Sequence, residues 1–449
     1  MMEKFVREPE RRLAVRGEYE VVVLGGGPAG IAAAAAAAGC GRKTLLVERY
    51  GFLGGMGTAA GVTNFCGLHA NVHGEIRQVV HGIADEILAR LDRLGGLNAP
   101  HTVFGKIAAQ AYDTAAYKCA ADDLLLARGC DILFHALGAG VVMDNAERIG
   151  ALIVETKSGR AAVVGRLFID CSGDGDLAAW AGAPFELGDG NGSMLYPSLM
   201  FRLNGVDPAA AGEAWRTIPE LMEDAKRRGY TFPRSGAIVR PQRNPIEWRV
   251  NVTQMRKPDG GPLDGTNADD LTTGEIEGRR QAMAFCEFLR REAPGFGNAY
   301  IVDTPPQIGI RETRRIVGAY QLTGEDVLGC ASFADAIGVS GWPIEQHVAG
   351  AVQWLWPEIP QSRGFCQLPY RMLLPRKVRN LLVAGRCASM THAGQSAARV
   401  SGACFVMGEA AGHAANLALA GNRELADIAI ETLQESLQNA GAYLGRDVA

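Results

Sequence analysis

Three sets of side chains in this chain have types and spacings that could do chemistry. The first is Gly25, Gly27 and Gly30, the fixed positions of a G-x-G-x-x-G turn completed by Gly26, Pro28 and Ala29. In a strand-to-helix turn such glycines let the chain reverse, let backbone amides approach a pyrophosphate and let the helix pack close to its sheet. Glu48 follows at the distance where a carboxylate accepts hydrogen bonds from an adenosine ribose. Its charge disfavours the 2′-phosphate of NADP, so NAD and FAD both stay open at this point. The second set is His347 and His392, whose imidazoles titrate near neutral pH and suit proton transfer. Either equally suits an ordinary core or surface position. The third set is Arg311, Arg314 and Arg315 in R-E-T-R-R. On a helix Arg311 and Arg315 would share a face and clamp a carboxylate or polarise a carbonyl. The alternative is a salt-bridged face with Glu312 and Glu325. Arg399 is a further candidate for holding an anion.

The elements that must position these groups follow from pattern. Residues 21–24 form a short unbroken apolar run, as in a parallel strand buried on both faces. Residues 31–38 are almost pure alanine and predict a closely packed helix. Residues 43–47 predict a second strand that ends at Glu48, and residues 1–16 read as a polar lead-in. Gly54, Gly55 and Met56 belong to a second glycine cluster, whose bare amides suit phosphate or ribityl oxygens as well as a flexible turn. Apolar residues recur at helical spacing over 75–94, with His81 solvated, and 112–127 predicts another helix leading to a strand at 131–135. Strands at 139–143, 150–156 and 161–164, separated by turn residues, predict an antiparallel meander. A further strand at 166–170 runs into Ser172, Gly173 and Asp176, a stretch suited to backbone approach to a cofactor or to an acidic surface turn.

Residues 190–365 change character, with more proline, tryptophan and arginine; strands are expected at 197–204 and 248–255 and a helix at 273–291. The first style returns in a strand at 379–386, ending on Gly385 and Arg386, and in a helical small-residue segment at 396–419.

At 449 residues, two domains are the natural expectation, and 47% hydrophobic with 21% charged residues is a globular composition. A net charge of −4 predicts no attraction to nucleic acid or to an anionic membrane surface. The charged N-terminal stretch lacks the apolar core of a signal peptide, and the alanine run is too short and weakly apolar to span a bilayer. The ten cysteines show no C-x-x-C or Cys/His grouping with zinc spacing, so no metal site is expected and reduced thiols of a cytoplasmic protein are.

Four stretches together carry a family likeness: V-V-V-L-G-G-G-P-A-G at 21–30, V-E-R-Y-G-F-L-G-G-M at 47–56, L-F-I-D-C-S-G-D-G-D at 167–176 and N-L-L-V-A-G-R-C at 380–387. In this order they resemble the FAD-dependent oxidoreductases of glutathione-reductase-like Rossmann fold, a group that includes the fumarate reductase and succinate dehydrogenase flavoproteins. The likeness extends through I-G-I-R-E-T-R-R at 308–315 and D-A-I-G-V-S-G-W-P-I-E-Q-H at 335–347, and so covers residues from about 17 to 420.

The resemblance implies FAD rather than NAD, bound at Gly25, Gly27, Pro28, Ala29 and Gly30. It implies Glu48 on the adenosine ribose, Arg49 beside the adenine end, and Gly54, Gly55 and Met56 near the pyrophosphate and ribityl chain. Ala139 would lie at the adenine edge, Ser172, Gly173 and Asp176 beside the cofactor, and Gly385 and Arg386 toward the isoalloxazine end. Three departures stand out. Related chains often carry an acid where this one has Arg386, which puts the ribityl contact there in question. No histidine follows the second glycine cluster where covalent flavoproteins attach FAD, so a non-covalent cofactor is expected. No C-x-x-x-x-C lies in the first sixty residues, which argues against a disulfide reductase.

The expectation is therefore an α/β protein. A discontinuous Rossmann-type FAD-binding domain (17–189 and 366–420, a parallel sheet plus β-meander) would join an α+β substrate domain (190–365) and a C-terminal helical tail (421–449). The expected activity is a dehydrogenase or reductase moving hydride between FAD and a small substrate with an acidic or carbonyl group, with a further electron donor or acceptor. His347, His392, Arg311 and Arg315 are its candidate catalytic groups. The alternatives are a flavin monooxygenase, whose late G-D-A-A-H-type stretch G-R-C-A-S at 385–389 does not match, and an FAD-binding nucleic-acid-modification factor, against which the acidic balance argues.

Overall fold

A run without a polar side chain must be covered on both faces, and Val21, Val22 and Val23 are fully buried in the computed structural model, which describes residues 6 and 8–448. They lie in β1 (Ala14–Leu24), which begins inside the segment expected to be a polar lead-in. The side chains of its first half are largely exposed while its backbone pairs with residues 161–165. Hydrogen bonding rather than burial makes that half a strand, and hydropathy does not report it. After β1 come α1 (Pro28–Gly39), β2 (Thr44–Val47), α2 (Thr114–Ala127), β3 (Asp131–Leu133), β4 (Ala136–Asn145), β5 (Arg148–Thr156) and β6 (Gly159–Asp170).

The sheet order is β3-β2-β1-β6-β5-β4, parallel from β3 to β6 and antiparallel through the meander β6-β5-β4. The strands expected separately at 161–164 and 166–170 are one strand. Its first half completes the meander and its second half enters the parallel layer. The single helix expected over 75–94 is also corrected. Glu75–Gln78 pairs with His69–Val72 in a hairpin, and only Ile83–Arg93 is helical, after Gly82 at φ 70°. A strand and a helix in succession happened to space their apolar residues like one helix.

Residues 199–310 supply a second core. Its antiparallel sheet runs β8-β9-β7-β10, from β7 (Phe201–Asn204), β8 (Ile238–Pro241), β9 (Trp248–Asn251) and β10 (Tyr300–Asp303). Phe285, Phe288 and Leu289 of α3 (Ala268–Glu292) join the same core. Asn267 caps α3 by accepting from the amides of Asp269 and Asp270. Farther along, Ile316, Leu322, Val327, Ile337 and Ile344 pack into the first core, as do Leu433 and Leu437 of the helix Ile430–Asn439.

The hairpin of β11 (Ile344–Val348) and β12 (Ala351–Leu355) precedes β13 (Leu381–Val383), which lies parallel beside the end of β6. The helical segment expected at 396–419 is two helices, α4 (His392–Ala398) and α5 (Ser401–Gly421), broken at Arg399 and Val400. Helix α5 lies directly on α1. A Cβ on Gly408 would sit 2.0 Å from the Ala29 carbonyl oxygen, and one on Gly412 would sit 2.5 Å from that of Ala33. The polyalanine helix and the glycine-bearing one are thus matched surfaces. Among the described residues no helix is long and apolar enough to cross a membrane.

Candidate active site

One cavity of about 710 Å³ runs from the Gly25–Ala29 turn to the β11-β12 hairpin. That lies in the upper part of the range of about 300–1,000 Å³ common for small-molecule pockets. At its first end α1 begins with Gly27 as N-cap, no side-chain cap and Pro28 in the first turn. Its leading amides are therefore left for an anion, at the positive end of the helix dipole. The two glycine clusters meet there: a Cβ on Gly55 would lie 2.7 Å from the Gly27 Cα. The resulting trough is lined by backbone, which fits a pyrophosphate.

Glu48 is fixed at the rim, its Oε2 accepting from the Gly26 amide at 2.7 Å and its Oε1 from the Tyr50 amide at 2.9 Å. Burial raises its carboxyl pKa against those two hydrogen bonds. Arg49 is exposed at the same edge and donates to Gln307 Oε1 at 2.7 Å. Met56 lines the cavity, as do Pro28 and Ala29.

Three expected cofactor contacts lie off the cavity wall. Gly30 faces the turn behind it, where a Cβ would lie 1.8 Å from the Gly25 oxygen, so it serves the close packing of α1. Gly54 donates its amide to the Gly26 oxygen at 2.8 Å and ties the two glycine clusters together. Ala139 is replaced at the wall by Ala136, Leu137 and Gly138 of the same strand.

The floor is built around Asp170, fully buried at the end of β6. Its Oδ1 accepts from the Ser172 amide at 3.0 Å and hydroxyl at 2.7 Å, and its Oδ2 from the Ala178 amide at 2.9 Å. Burial pushes its pKa up to about 6, against those donors. This shapes the loop that presents Ser172, Gly173 and Asp176 to the cavity. The departure at Arg386 is answered across the floor. Its guanidinium pairs with Asp174 at 2.7 Å and donates to Thr313 Oγ1 at 2.9 Å, beside Gly385. Arg386 therefore stands in an ion pair with an acid of the loop after β6.

At the far end, His347 is almost fully buried on β11, with its Nε2 3.0 Å from Glu345 Oε1. A carboxylate only accepts, so Nε2 carries the proton and Nδ1 keeps a lone pair. Burial, then the nearby Arg311 charge, push the imidazolium pKa down to about 3. Burial works against ionising Glu345, but its hydrogen bond to His347 and the nearby Arg399 hold it below the usual carboxylate range. Arg311 lines the same end and donates to the Tyr196 carbonyl at 2.7 Å.

The R-E-T-R-R stretch is not helical: Arg315 lies in the two-residue strand Arg315–Ile316 and Arg311 in irregular chain before it, so they share no helix face. The irregular chain between them sends the two arginines to different places. Arg315 pairs with the fully buried Glu312 and donates to the carbonyls of Met390 and Gly188 at 3.0 and 2.7 Å. His392 Nδ1 sits 2.9 Å from Glu312 Oε2. This His392–Glu312–Arg315 group lies off the cavity wall, and Glu325 takes no part in it. The salt-bridged alternative thus describes Arg315, and the cavity takes Arg311.

Sequence reading missed Arg234 and Arg249 at this end, as well as Trp342 and Trp354. Only the alternation that places Glu345 and His347 on one face of β11 could have paired those two. Among the described residues no group of His, Cys, Asp or Glu is placed to hold a metal.

A strand-turn-helix with an open helix N-terminus, a fixed rim carboxylate and a second glycine loop define a dinucleotide-binding α/β enzyme. The chain belongs to the FAD dependent oxidoreductase family, whose model matches residues 20–437. It is an oxidoreductase, and FAD is its cofactor. No curated protein matches it. Among solved structures it is similar to a geranylgeranyl bacteriochlorophyll reductase-like protein from Thermoplasma acidophilum, at 14% identity over 96% of this chain and 97% of that one, TM-score 0.48. It is also similar to p-nitrophenol 4-monooxygenase from Pseudomonas putida, at 12% identity over 94% and 85%, TM-score 0.45. A myxobacterial chondrochloren halogenase gives 13% over 94% and 78%, TM-score 0.44. At these values neither reaction nor substrate passes from them to this chain.

Proposed function

We propose that the chain is a dehydrogenase or reductase that moves two electrons between a small organic substrate and non-covalently held FAD. One observation carries this reading: a single cavity joins the glycine trough to the buried His347–Glu345 pair and Arg311. The first-turn amides of α1, with Gly25, Gly27 and Gly55, would hold the pyrophosphate, and Glu48 the ribose. Ser172, Gly173, Asp176, Gly385 and Arg386 would flank the remainder. FAD, when bound, supplies hydride acceptance or donation. The chain's own groups then orient the substrate and handle one proton. Arg311 would hold an acidic or carbonyl oxygen, and His347 would take the proton of an oxidised hydroxyl or amine at Nδ1, returning it in the reverse direction. His392 and Arg315 would position the loop around Glu312 without touching substrate. The substrate-side segment 190–365 belongs to the same proposal: residues 199–310 of it form the second core, and it supplies Arg234, Arg311 and His347 to the far end of the cavity beside Arg399.

Anaerobic mixing of the holoenzyme with a panel of small hydroxy and amino acids tests this reading. Bleaching of the flavin absorbance by at least one donor is expected. His347→Asn should retain FAD and slow that reduction by about 10²–10⁴-fold, the usual scale for a lost general base. Stoichiometric insertion of oxygen into a product would overturn the reading in favour of a monooxygenase.

A further inference from the structure

The far end of the cavity carries more positive charge than the chain neutralises. Arg234, Arg249, Arg311 and Arg399 all line it, and the nearby carboxylate is Glu345. Each guanidinium is steadied by a main-chain carbonyl: Arg234 by Asn251 at 2.5 Å, Arg249 by Val62 at 3.1 Å, Arg311 by Tyr196 at 2.7 Å and Arg399 by Glu345 at 3.3 Å. A carbonyl orients an arginine without cancelling its charge, although Arg399 also stands 4.0 Å from the Glu345 carboxylate. The Nε atoms of Arg234, Arg249 and Arg399 are buried with no partner, and Arg234 and Arg249 are only 5% and 7% exposed. Uncompensated buried charge is costly, and arginine forks match planar oxyanions.

The same end of the cavity is also lined by the aromatic Trp342 and Trp354. Trp342 is pinned by its Nε1 donating to Glu345 Oε2 at 3.0 Å. Trp354, opposite Glu345 in the hairpin register, lies 6.0 Å from the Trp342 ring and 5.3 Å from Phe104. Trp354 stacks on Trp356 at 5.7 Å and meets Trp342 and Phe104 edge to face, so the cluster offers a flat body a corner of ring faces and edges.

We propose that this end of the cavity binds a carboxylate attached to a flat aromatic or conjugated body, the carboxylate among Arg234, Arg311 and Arg399 and the body against Trp342 and Trp354. The assignment rests on the reading of this end as the substrate chamber. A short aliphatic diacid would satisfy the arginines and leave the aromatic wall bare. A neutral aromatic would do the reverse.

Calorimetric titration of the holoenzyme with trans-cinnamate, cinnamamide and succinate separates these cases. Cinnamate should bind at least about tenfold more tightly than either of the others. Arg234→Gln should bring cinnamate down to the level of cinnamamide, and Trp354→Leu should weaken cinnamate while leaving succinate unchanged. Equal binding of cinnamate and its amide to the wild-type protein, or tighter binding of succinate, overturns the proposal, and that comparison needs no variant. If cinnamate binds as expected but no donor bleaches the flavin, this site stands and the redox reading falls. If a neutral or aliphatic donor bleaches the flavin and cinnamate does not bind, the redox reading stands and this one falls.

Discussion

His347 is a histidine prepared to stay neutral. Burial and Arg311 hold its imidazolium at about 3 against an ordinary value of 6.5. A base that is already deprotonated needs no activation by rising pH. The free-enzyme profile of kcat/KM should therefore stay flat through the imidazole range, with no acid limb near 6.5. A limb there that vanishes in His347→Asn would show a histidine of ordinary basicity. A second buried group works in the opposite sense. Glu409 of α5 accepts from the Ile83 amide at 3.2 Å through Oε2, while Oε1 has no partner. Burial raises its pKa from 4.5 to about 8. Between those values the folded protein holds a proton that the unfolded chain releases. The stability linked to this proton is full below 4.5 and is lost as pH rises through about 8. The slope is on the order of 1.4 kcal/mol per pH unit at most. Urea unfolding of Glu409→Gln beside wild type should show the variant gaining relative stability as pH rises from acid to about 8. A constant difference across that range would mean that Glu409 is ionised in the fold.

At the scale of elements, the contact of α1 with α5 leaves no room for a side chain at Gly408. Gly408→Val should cost about 1–3 kcal/mol by overpacking, and it pushes on Ala29, at the entrance of the glycine trough. A fall in both melting temperature and flavin content is expected, whereas lost stability at full flavin content would confine the effect to packing. Such elements were legible where one physical cause dominated. The run 21–24 is buried on both faces and has no other solution, and the polyalanine of α1 needs glycine opposite it. Legibility failed where two causes overlapped. Over 75–94 a hairpin strand and a helix shared one apolar rhythm, and in 14–20 backbone pairing outweighed polar side chains. The shared face that Arg311 and Arg315 would have on a helix is absent, because R-E-T-R-R forms no helix. The site shows the same limit: the cofactor motifs are local in sequence, while Arg234, Arg249, Arg311 and Arg399 meet only through the tertiary fold.

At the scale of the whole molecule, the cavity draws on both cores, and FAD would touch segments from β1 to β13. A ligand that binds only the folded form stabilises it by mass action, about 2.7 kcal/mol when present at a hundred times its dissociation constant. Stripping FAD should lower the melting temperature, and added FAD should restore it in a concentration-dependent way. A melting temperature indifferent to FAD would place the cofactor on a surface already formed without it. The placement of β13 beside β6 has a further consequence, for how the chain is made. During synthesis the parallel layer emerges with one flank of β6 bare, and its final strand is more than two hundred residues away along the chain. The newborn chain must therefore wait with an unpaired edge until residues 381–383 leave the ribosome, and α5 can seat on α1 only after that. The cavity is lined by both Gly25 and Arg386, so it closes only once the whole span between them has been made.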